Sequence, residues 1–307
     1  MGRMQDLRIV DPVLTNLARG YSNAAFAGTV LFPVVNVNKE AGKIPLFGKE
    51  AFTIYNTERA LRAKSNKIPV ETRTYFDYML TEHDAAYPLD YREIAEDIFN
   101  ARQYGAYQSL QVIMNKHERV CAEMAINVTS YQPGNKITLT GTAQFTSAGS
   151  DPIGVIRTAV EAIRQKIAKR PNTMVIGAAS FKALQDHTSI LERIKYSMKG
   201  VVTVDLLKSI FDIPNIVVAD SMYLEGGVLK DNWGDNIIIA YVPSPQPGGE
   251  RSIYEPSFGY TLRKAGYPQV DTYLEEGGKI ENIRSTDNFT ARILGQDAGY
   301  LINDTNA

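Results

Sequence analysis

The sequence predicts an α+β protein, and three observations along its 307 residues support that fold class. Apolar residues recur at three- and four-residue spacing over residues 89–129, which indicates a long amphipathic helix. Helical and short apolar β-type segments alternate over residues 151–245, as they do in a compact α/β unit. Beyond a linker rich in proline and glycine at 245–249, short β-type segments dominate. This order places a helix-rich middle between β-rich ends.

The composition excludes several functional classes. Lys and Arg number 33 against 34 Asp and Glu, so the formal net charge of -1 excludes a protein that mainly coats nucleic acid. No apolar run approaches the roughly 20 residues that cross a bilayer, so we expect no membrane partner. The first residues lack the apolar core of a signal peptide, which predicts a cytoplasmic origin. The single cysteine, Cys121, excludes internal disulfides and multi-cysteine metal sites.

The N-terminal part of the chain predicts an arm followed by paired strands. Residues 1–35 predict the arm, because prolines and glycines interrupt short apolar pieces there. Two apolar runs at 31–37 and 43–47 flank a Gly-containing turn and predict a hairpin. Pro33 and Pro45 place both of these strands at sheet edges, since proline cannot donate to a ladder.

Residues 36–80 as a whole predict an extended β loop with two arms and a basic tip. Its returning strand alternates, with Phe76, Tyr78 and Leu80 on one face and charged residues on the other. A loop of this length is unusual inside a compact domain and generally serves a function. We therefore expect the extended loop to contact another molecule.

The helical pattern at 89–129 predicts a single long element. Asp90 and Glu93 have the spacing of a capping box at its start. A helix over this whole span would be about 60 Å long, which suits a spine along a plate better than a helix inside a sphere. Gly105 is a point where the helix can bend or break. The predicted buried stripe consists of Ala106, Leu110, Met114, His117, Cys121, Met124 and Val128.

The α/β unit begins at Asp151 and Pro152, which together resemble a helix N-cap followed by proline in the first turn. Ser180 is predicted to cap a second helix. The predicted segments that follow Pro152 are a helix at 203–212 and strands at 173–176, 216–219 and 237–242. The predicted C-terminal β segments are 258–264, 269–275, 289–294 and 299–302.

No catalytic, cofactor or metal motif is found in the sequence. A P-loop, a dinucleotide fingerprint, a zinc-protease helix and a nucleophile elbow are all absent. His117 and Cys121 lie four residues apart, which fits half of a metal site or an activated thiol, but also two buried stripe residues. Glu82 and Asp84 flank His83. The two carboxylates fit either a catalytic pair or the solvated end of a strand. The structural interpretation is favoured for both groups, and no enzyme activity is predicted.

The charges are unevenly distributed. Residues 39–73 hold eight cations and four anions (+4), whereas residues 74–99 hold one cation and seven anions (-6). This uneven distribution has two interpretations. Residues 39–73 and 74–99 can form two independently solvated surfaces, or the basic loop of one copy can bind the acidic segment of the next copy. Tyrosine, with 17 residues, fits either a contact surface or a β-rich core. The hypothetical subunit interface joins Lys49, Arg59, Arg62, Lys64 and Lys67 to Asp90, Glu93, Glu96 and Asp97.

The order of these parts resembles the major capsid proteins of tailed bacteriophages, which have the Hong Kong 97-like fold. The more specific similarities are residues 32–37 before Gly42, 44–47, and 173–177 followed by 180–184. The resemblance implies an N-terminal arm, an extended β loop, a peripheral domain with a long spine helix, and an axial α/β domain. The implied regions are 1–35 (arm), 36–80 (loop), 81–150 (peripheral), 151–250 (axial) and 251–307 (peripheral return).

The resemblance also implies a function. Such a protein would self-assemble, as hexamers and pentamers, into the icosahedral head shell around the double-stranded DNA of a tailed phage. It would use no cofactor, be assembled in the host cytoplasm and become part of the virion. Further partners would be scaffolding, portal and decoration proteins, with DNA contacted on the inner face without sequence specificity. The alternatives are a cargo-enclosing, encapsulin-like nanocompartment and, from another class, an α/β enzyme or ligand-binding module with a site in 151–245.

Overall fold

The computed structural model describes residues 26–46, 53–68, 74–96, 100–194, 202–244 and 256–307. The predicted arm up to residue 25 lies outside the described residues, as do Lys49 and Asp97 of the hypothetical interface. Within the described part of the chain, helices and strands occur together, as predicted for an α+β protein. None of the helices in that part combines the length and hydropathy that a bilayer span requires.

The helices of the described residues differ widely in length. They are α1 (Gly28–Leu31), α2 (Tyr91–Glu96), α3 (Ala101–Ile126), α4 (Pro152–Ile167), α5 (Ala178–Asp186), α6 (Thr188–Ile194) and α7 (Val204–Phe211). At 26 residues, α3 is about 39 Å long and forms the spine. The N-cap prediction for α4 is confirmed, because the Asp151 carboxylate accepts a hydrogen bond from the Gly154 N–H at 2.9 Å.

The strands form two five-stranded sheets and two separate two-stranded ribbons. They are β1 (Val34–Val37), β2 (Ala41–Leu46), β3 (Thr74–Met79), β4 (Thr81–Asp90), β5 (Lys136–Thr138), β6 (Thr173–Gly177), β7 (Asn215–Ala219), β8 (Met222–Glu225), β9 (Val228–Asp231), β10 (Ile237–Ala240), β11 (Gly259–Lys264), β12 (Gln269–Leu274), β13 (Ile280–Ile293) and β14 (Gly299–Asn303).

The first sheet is organised around the long strand β13. Its order is β1-β11-β13-β12, and β4 pairs with β13 in register from Ile280 opposite Asp90 to Phe289 opposite Thr81. The spine helix α3 crosses β4 and β13. Ser109 of α3 shares a hydrogen bond of 2.7 Å with Ser285 of β13, which fixes the helix on the sheet.

The predicted hairpin of residues 31–37 with 43–47 is wrong. β1 instead runs parallel to β11, with Val34 opposite Thr261, and β2 pairs with β3. Both strands still lie at sheet edges, as their prolines required. The hairpin prediction relied on closeness in sequence, whereas the partner of β1 comes from more than 200 residues away.

The second sheet has the order β5-β14-β10-β6-β7, and the main hydrophobic core lies around it. β10 is buried along its whole length, with β14 and β6 antiparallel on its two sides. The strands of this second sheet come from three of the predicted regions, 81–150, 151–250 and 251–307. One sheet therefore crosses the predicted boundaries, and the division of the chain into those domains stays a prediction.

The single helix predicted over 89–129 is not continuous. β4 extends to Asp90, α2 ends at Glu96, and α3 begins at Ala101 with the Asn100 side chain as its N-cap. Gly105 neither breaks nor ends α3; it lets the helix approach the sheet, where an added Cβ would lie 3.0 Å from the side chains of Tyr87 and Ile283.

The predicted buried stripe of α3 is wrong in its N-terminal half. Met114 is exposed, and three of the four buried residues that face the sheet are small or polar: Gly105, Ser109 and His117, with Ile113 as the apolar one. The stripe was inferred from hydrophobicity, but close helix–sheet packing selected small side chains instead. Ser180 is likewise not a cap, because α5 begins two residues earlier and the Ser180 hydroxyl is hydrogen-bonded to Thr305 at 2.7 Å.

Candidate subunit interface

The extended loop rises from a ribbon that belongs to neither large sheet. β2 and β3 pair antiparallel from Ala41 opposite Met79 to Leu46 opposite Thr74. At the base of the ribbon the Leu80 N–H donates to the Glu40 carbonyl at 2.8 Å, and the Lys264 ammonium of β11 binds the Glu40 carboxylate. The base of the loop is therefore held against the first sheet.

The tip of the loop forms hydrogen bonds within itself. The Asn66 amide donates to the carbonyls of Asn56 and Glu58, both at 2.9 Å. The Arg59 guanidinium donates to the Ala63 carbonyl at 2.5 Å. These bonds close the loop locally, but they bury no apolar side chain.

The loop presents apolar and cationic side chains that its own chain does not cover. Ile54 is 97% exposed and Leu61 is 91% exposed. No carboxylate of the described residues lies within ion-pair distance of the four loop cations, Arg59, Arg62, Lys64 and Lys67. Exposed apolar side chains beside unpaired charges are typical of a surface that another molecule covers.

The structure brings two of the predicted acidic residues together at the start of α2. The Asp90 carboxylate accepts hydrogen bonds from the Arg92 N–H at 3.0 Å and from its guanidinium at 3.3 Å, and these bonds lower the pKa of Asp90. The Glu93 carboxylate accepts from the Asp90 N–H at 3.3 Å, which is half of the predicted capping box. Asp90 and Glu93 thus serve their own helix, while Glu96 is exposed at its end.

An exposed apolar surface lies on α2 and α3, and helical periodicity alone does not predict it. We call it the tyrosine surface, and it consists of Tyr91, Tyr104, Tyr107 and Met114. Spacings of three and seven residues place the last three on one face of α3. The rings of Tyr104 and Tyr87 form a T-shaped pair, with 5.9 Å between centroids. The tyrosine spacing is visible in the sequence, but the predicted stripe places Met114 on the buried face.

An open groove of about 380 Å³ lies where the alternative enzyme site was expected. Its lining includes Phe145, Ala179, Lys182, Asp186, His187 and Asn306. The His187 Nδ1 accepts from the Ser189 N–H at 3.2 Å, so we assign the ring proton to Nε2, which faces the Ser150 hydroxyl at 3.0 Å. That tautomer cannot take a proton from Ser150, whose hydroxyl donates to the Ser147 carbonyl at 2.9 Å. The Ser150–His187 pair is therefore not a nucleophile with its general base.

The pair His117 and Cys121 is buried in the core. The Cys121 sulfur lies 3.6 Å from His117 Nε2, and burial raises the pKa of the thiol, with Glu118 adding to the effect. Burial, the Arg263 guanidinium and His83 lower the pKa of His117 to about 4. A neutral thiol beside a neutral imidazole is not an activated nucleophile, and the described residues contain no cluster of three or more metal-ligating side chains.

Comparisons with known proteins agree with one another. The family model for phage major capsid protein E matches residues 130–276. The major capsid protein of Burkholderia phage BcepMu is 54% identical over 307 residues, covering 100% of both chains. A phage-related protein from Bordetella bronchiseptica RB50 has a solved structure that is 31% identical, with a TM-score of 0.76 and coverage of 97% of this chain and 98% of that chain.

More distant solved structures show the shared fold. The mature capsid of bacteriophage PhiM1 matches with a TM-score of 0.56 at 13% identity, covering 93% of this chain and 88% of that one. The SrpI encapsulin of Synechococcus elongatus PCC 7942 matches with a TM-score of 0.53 at 12% identity, covering 97% and 96%. The encapsulin likeness shows the Hong Kong 97-like fold alone and does not favour the nanocompartment alternative.

The described groove and buried polar pair thus provide no catalytic apparatus, while the exposed loop and tyrosine surface offer contacts to another chain. Together with a full-length relative at 54% identity, this shows that the chain belongs to the phage major capsid protein family, whose members are structural components of the virion.

Proposed function

We propose that copies of this chain assemble into the icosahedral shell that encloses the double-stranded DNA of a tailed phage, and that the extended loop binds the neighbouring copy. The observation that carries the loop contact is the exposure of Ile54 and Leu61 beside four loop cations that pair with no carboxylate of the described residues. Burying one such side chain in an interface contributes roughly 1.5–3 kcal/mol. A segment that its own chain leaves this exposed gains order when a second copy covers it.

The receiving surface on the neighbour combines the acidic residues of α2 with the tyrosine surface. Among the described acids there, Glu96 at the end of α2 is the most exposed, and Asp90 and Glu93 add negative charge at the start of the helix. Exposed ion pairs contribute only about 0.2–1 kcal/mol each, so they guide the loop and set its register. Cohesion comes from apolar contact of Ile54 and Leu61 with the tyrosine rings.

A contact between two different surfaces of the same chain propagates from copy to copy. It closes into rings when the rotation between copies allows closure, and hexamers and pentamers are the rings that an icosahedral shell requires. Many weak contacts per subunit then close the shell cooperatively. We place assembly in the host cytoplasm, with scaffolding, portal and decoration proteins as further partners and packaged DNA on the inner face.

The test is a charge reversal in the loop. The triple variant Arg59→Glu, Arg62→Glu, Lys64→Glu should fold as the parent does, because all three side chains are exposed, yet form few shells in electron micrographs. The matched control reverses three exposed cations of the α/β unit instead: Arg157→Glu, Lys182→Glu and Arg193→Glu. If the loop variant assembles as well as the control, the loop contact is wrong.

A compensating change sharpens the same test. Adding Glu96→Lys to the loop variant restores opposite charges across the proposed contact, so shell yield should recover in part. Recovery depends on which residues face each other, and a general effect of net charge cannot produce it. Loss of yield in the loop variant without any recovery would place the loop on a different surface of the neighbour.

A further inference from the structure

The spine helix contains a carboxylate that is completely buried within the protein. The side chain of Glu118 is 0% exposed, although it lies one turn beyond the exposed Met114 on the same face of α3. Its Oε1 accepts hydrogen bonds from the Ala27 N–H at 3.0 Å, the Ser221 hydroxyl at 3.0 Å and the Trp233 indole at 2.7 Å. Its Oε2 accepts from the Gly28 N–H at 2.8 Å.

The four donors come from two parts of the chain that are far apart in the sequence, residues 27–28 and the two ends of the β8–β9 ribbon. Ala27 and Gly28 lie where the described N-terminal chain joins the body, just before β1 enters the first sheet. Ser221 lies between β7 of the second sheet and the β8–β9 ribbon, and Trp233 lies between that ribbon and β10. Glu118 therefore joins the spine helix, the N-terminal junction and the second sheet at one point.

The packing around the carboxylate leaves no room for a larger residue at the junction. A Cβ on Gly28 would lie 2.6 Å from Glu118 Oε2 and 2.9 Å from the Cys121 Cβ. This close approach is what allows the Gly28 N–H to reach Glu118.

A carboxylate is suited to this position for a geometric reason. Its two oxygens offer about four acceptor sites, which match the four donors. No Lys or Arg of the described residues lies within ion-pair distance of Glu118, so neutral donors alone compensate the buried group. An apolar replacement would leave all four donors buried without an acceptor, which is costly.

We propose that Glu118 is a positioning residue that couples the N-terminal junction to the second sheet, so that a change at Ser221 or Trp233 alters how firmly residues 27 and 28 are held. The shared oxygen Oε1 provides the coupling, because it binds donors from both sides at once. Removing one donor lets the carboxylate rotate, and this weakens the remaining bonds. The inference goes beyond the proposed loop contact and does not depend on it.

Hydrogen exchange of the unassembled, full-length chain tests the coupling, read on the peptide that covers residues 26–32. Glu118→Gln keeps the shape but turns an N–H₂ group toward at least one donor, so exchange of this peptide should rise about tenfold. Ser221→Ala, on the far side of the carboxylate, should raise exchange of the same peptide by a smaller factor. The matched control is Ser209→Ala, which removes an exposed hydroxyl that donates within α7, and it should change nothing there.

Two results would overturn the proposal. If Glu118→Gln raises exchange but Ser221→Ala leaves residues 26–32 as in the parent, Glu118 is a local anchor and couples nothing. If neither variant changes exchange, the junction is held by other contacts. Trp233 is the only tryptophan of the chain, and a cooperative urea transition in its fluorescence shows whether each variant still folds. Because unassembled chains are measured, failure here is distinguishable from failure of the loop contact.

Discussion

The second sheet and the extended loop treat the same residue type in opposite ways. The isoleucines of β10 are fully buried, with paired strands on both sides, whereas Ile54 in the loop is almost fully exposed. The sheet buries its apolar side chains within one chain. In the loop, the Asn66 amide hydrogen-bonds backbone carbonyls, but the apolar side chain of Ile54 stays exposed. The difference separates what folding of a single copy stabilises from what assembly must stabilise.

The largest expected effect comes from truncating isoleucine in the two regions. Ile238→Ala in β10 should lower the free energy of unfolding by about 2–5 kcal/mol, because it leaves a cavity in a closely packed core. Ile54→Ala should change the free energy of unfolding by less than about 0.5 kcal/mol, because the exposed side chain makes few contacts within its own chain. Urea unfolding of the unassembled chain measures both values.

Shell yield, unlike the free energy of unfolding, should be sensitive to the loop residue Ile54. Ile54→Ala should reduce assembly although its stability is unchanged, since the lost contact is the proposed one between copies. If the Ile54→Ala variant has normal stability and forms shells normally, Ile54 contributes to no contact between copies. The proposed contrast, between residues buried by folding and residues buried by assembly, would then be wrong.

An intermediate effect is expected from pH, at the buried face of the spine helix. His117 has a pKa of about 4 in the folded protein, against about 6.5 when unfolded, because burial, Arg263 and His83 disfavour its charged form. Between these values the unfolded state binds the proton and the folded state does not. Stability should therefore fall as the pH drops from about 6.5 toward 4, by up to about 3 kcal/mol.

The His117→Gln variant isolates this contribution. Its amide can donate to the Thr261 hydroxyl, which lies 2.9 Å from His117 Nε2, but it does not titrate. Unfolding measured at pH 7 and pH 4.5 should show a smaller loss for the variant than for the parent. An equal loss would assign the acid sensitivity to other groups, either His83, whose pKa is also lowered by burial, or carboxylates.

The smallest effect is expected at the base of the loop. Lys43 and Asp77 lie opposite each other in the β2–β3 ribbon, with 3.7 Å between their charged atoms, and both side chains are exposed. Lys43→Ala should cost less than about 0.5 kcal/mol, and the cost should vanish at 1 M salt. A cost above 1 kcal/mol in thermal unfolding would mean that the ribbon is part of the cooperative body.

Much of the fold was predictable because its signals are local. The N-cap at Asp151, the buried strand around residue 175 and the strand around residue 217 follow from capping chemistry and short apolar runs. β13 was predicted only from residue 289 onward, because charged residues interrupt the apolar pattern in its first half. Arg284 in that half forms its ion pair with Asp271 on the neighbouring strand, a compensation that a single segment cannot reveal.

The candidate interface was predictable only in part. Exposure of the loop cations was expected from their density, and the structure agrees for Arg59, Arg62, Lys64 and Lys67. The engagement of Asp90 and Glu93 within their own helix was visible as a capping box. The tyrosine surface was not, because helical periodicity says that a face is apolar but not whether another element of the chain covers it. The contact itself stays a prediction.

The sequence by itself determined the fold class, the order of elements and the basic loop, since periodicity, caps and charge are properties of neighbouring residues. Only the tertiary structure decided which strand pairs with β1, which face of the spine helix is buried and that Glu118 joins three segments. These features depend on residues about 100 or more positions apart, and such contacts form only when the whole chain packs.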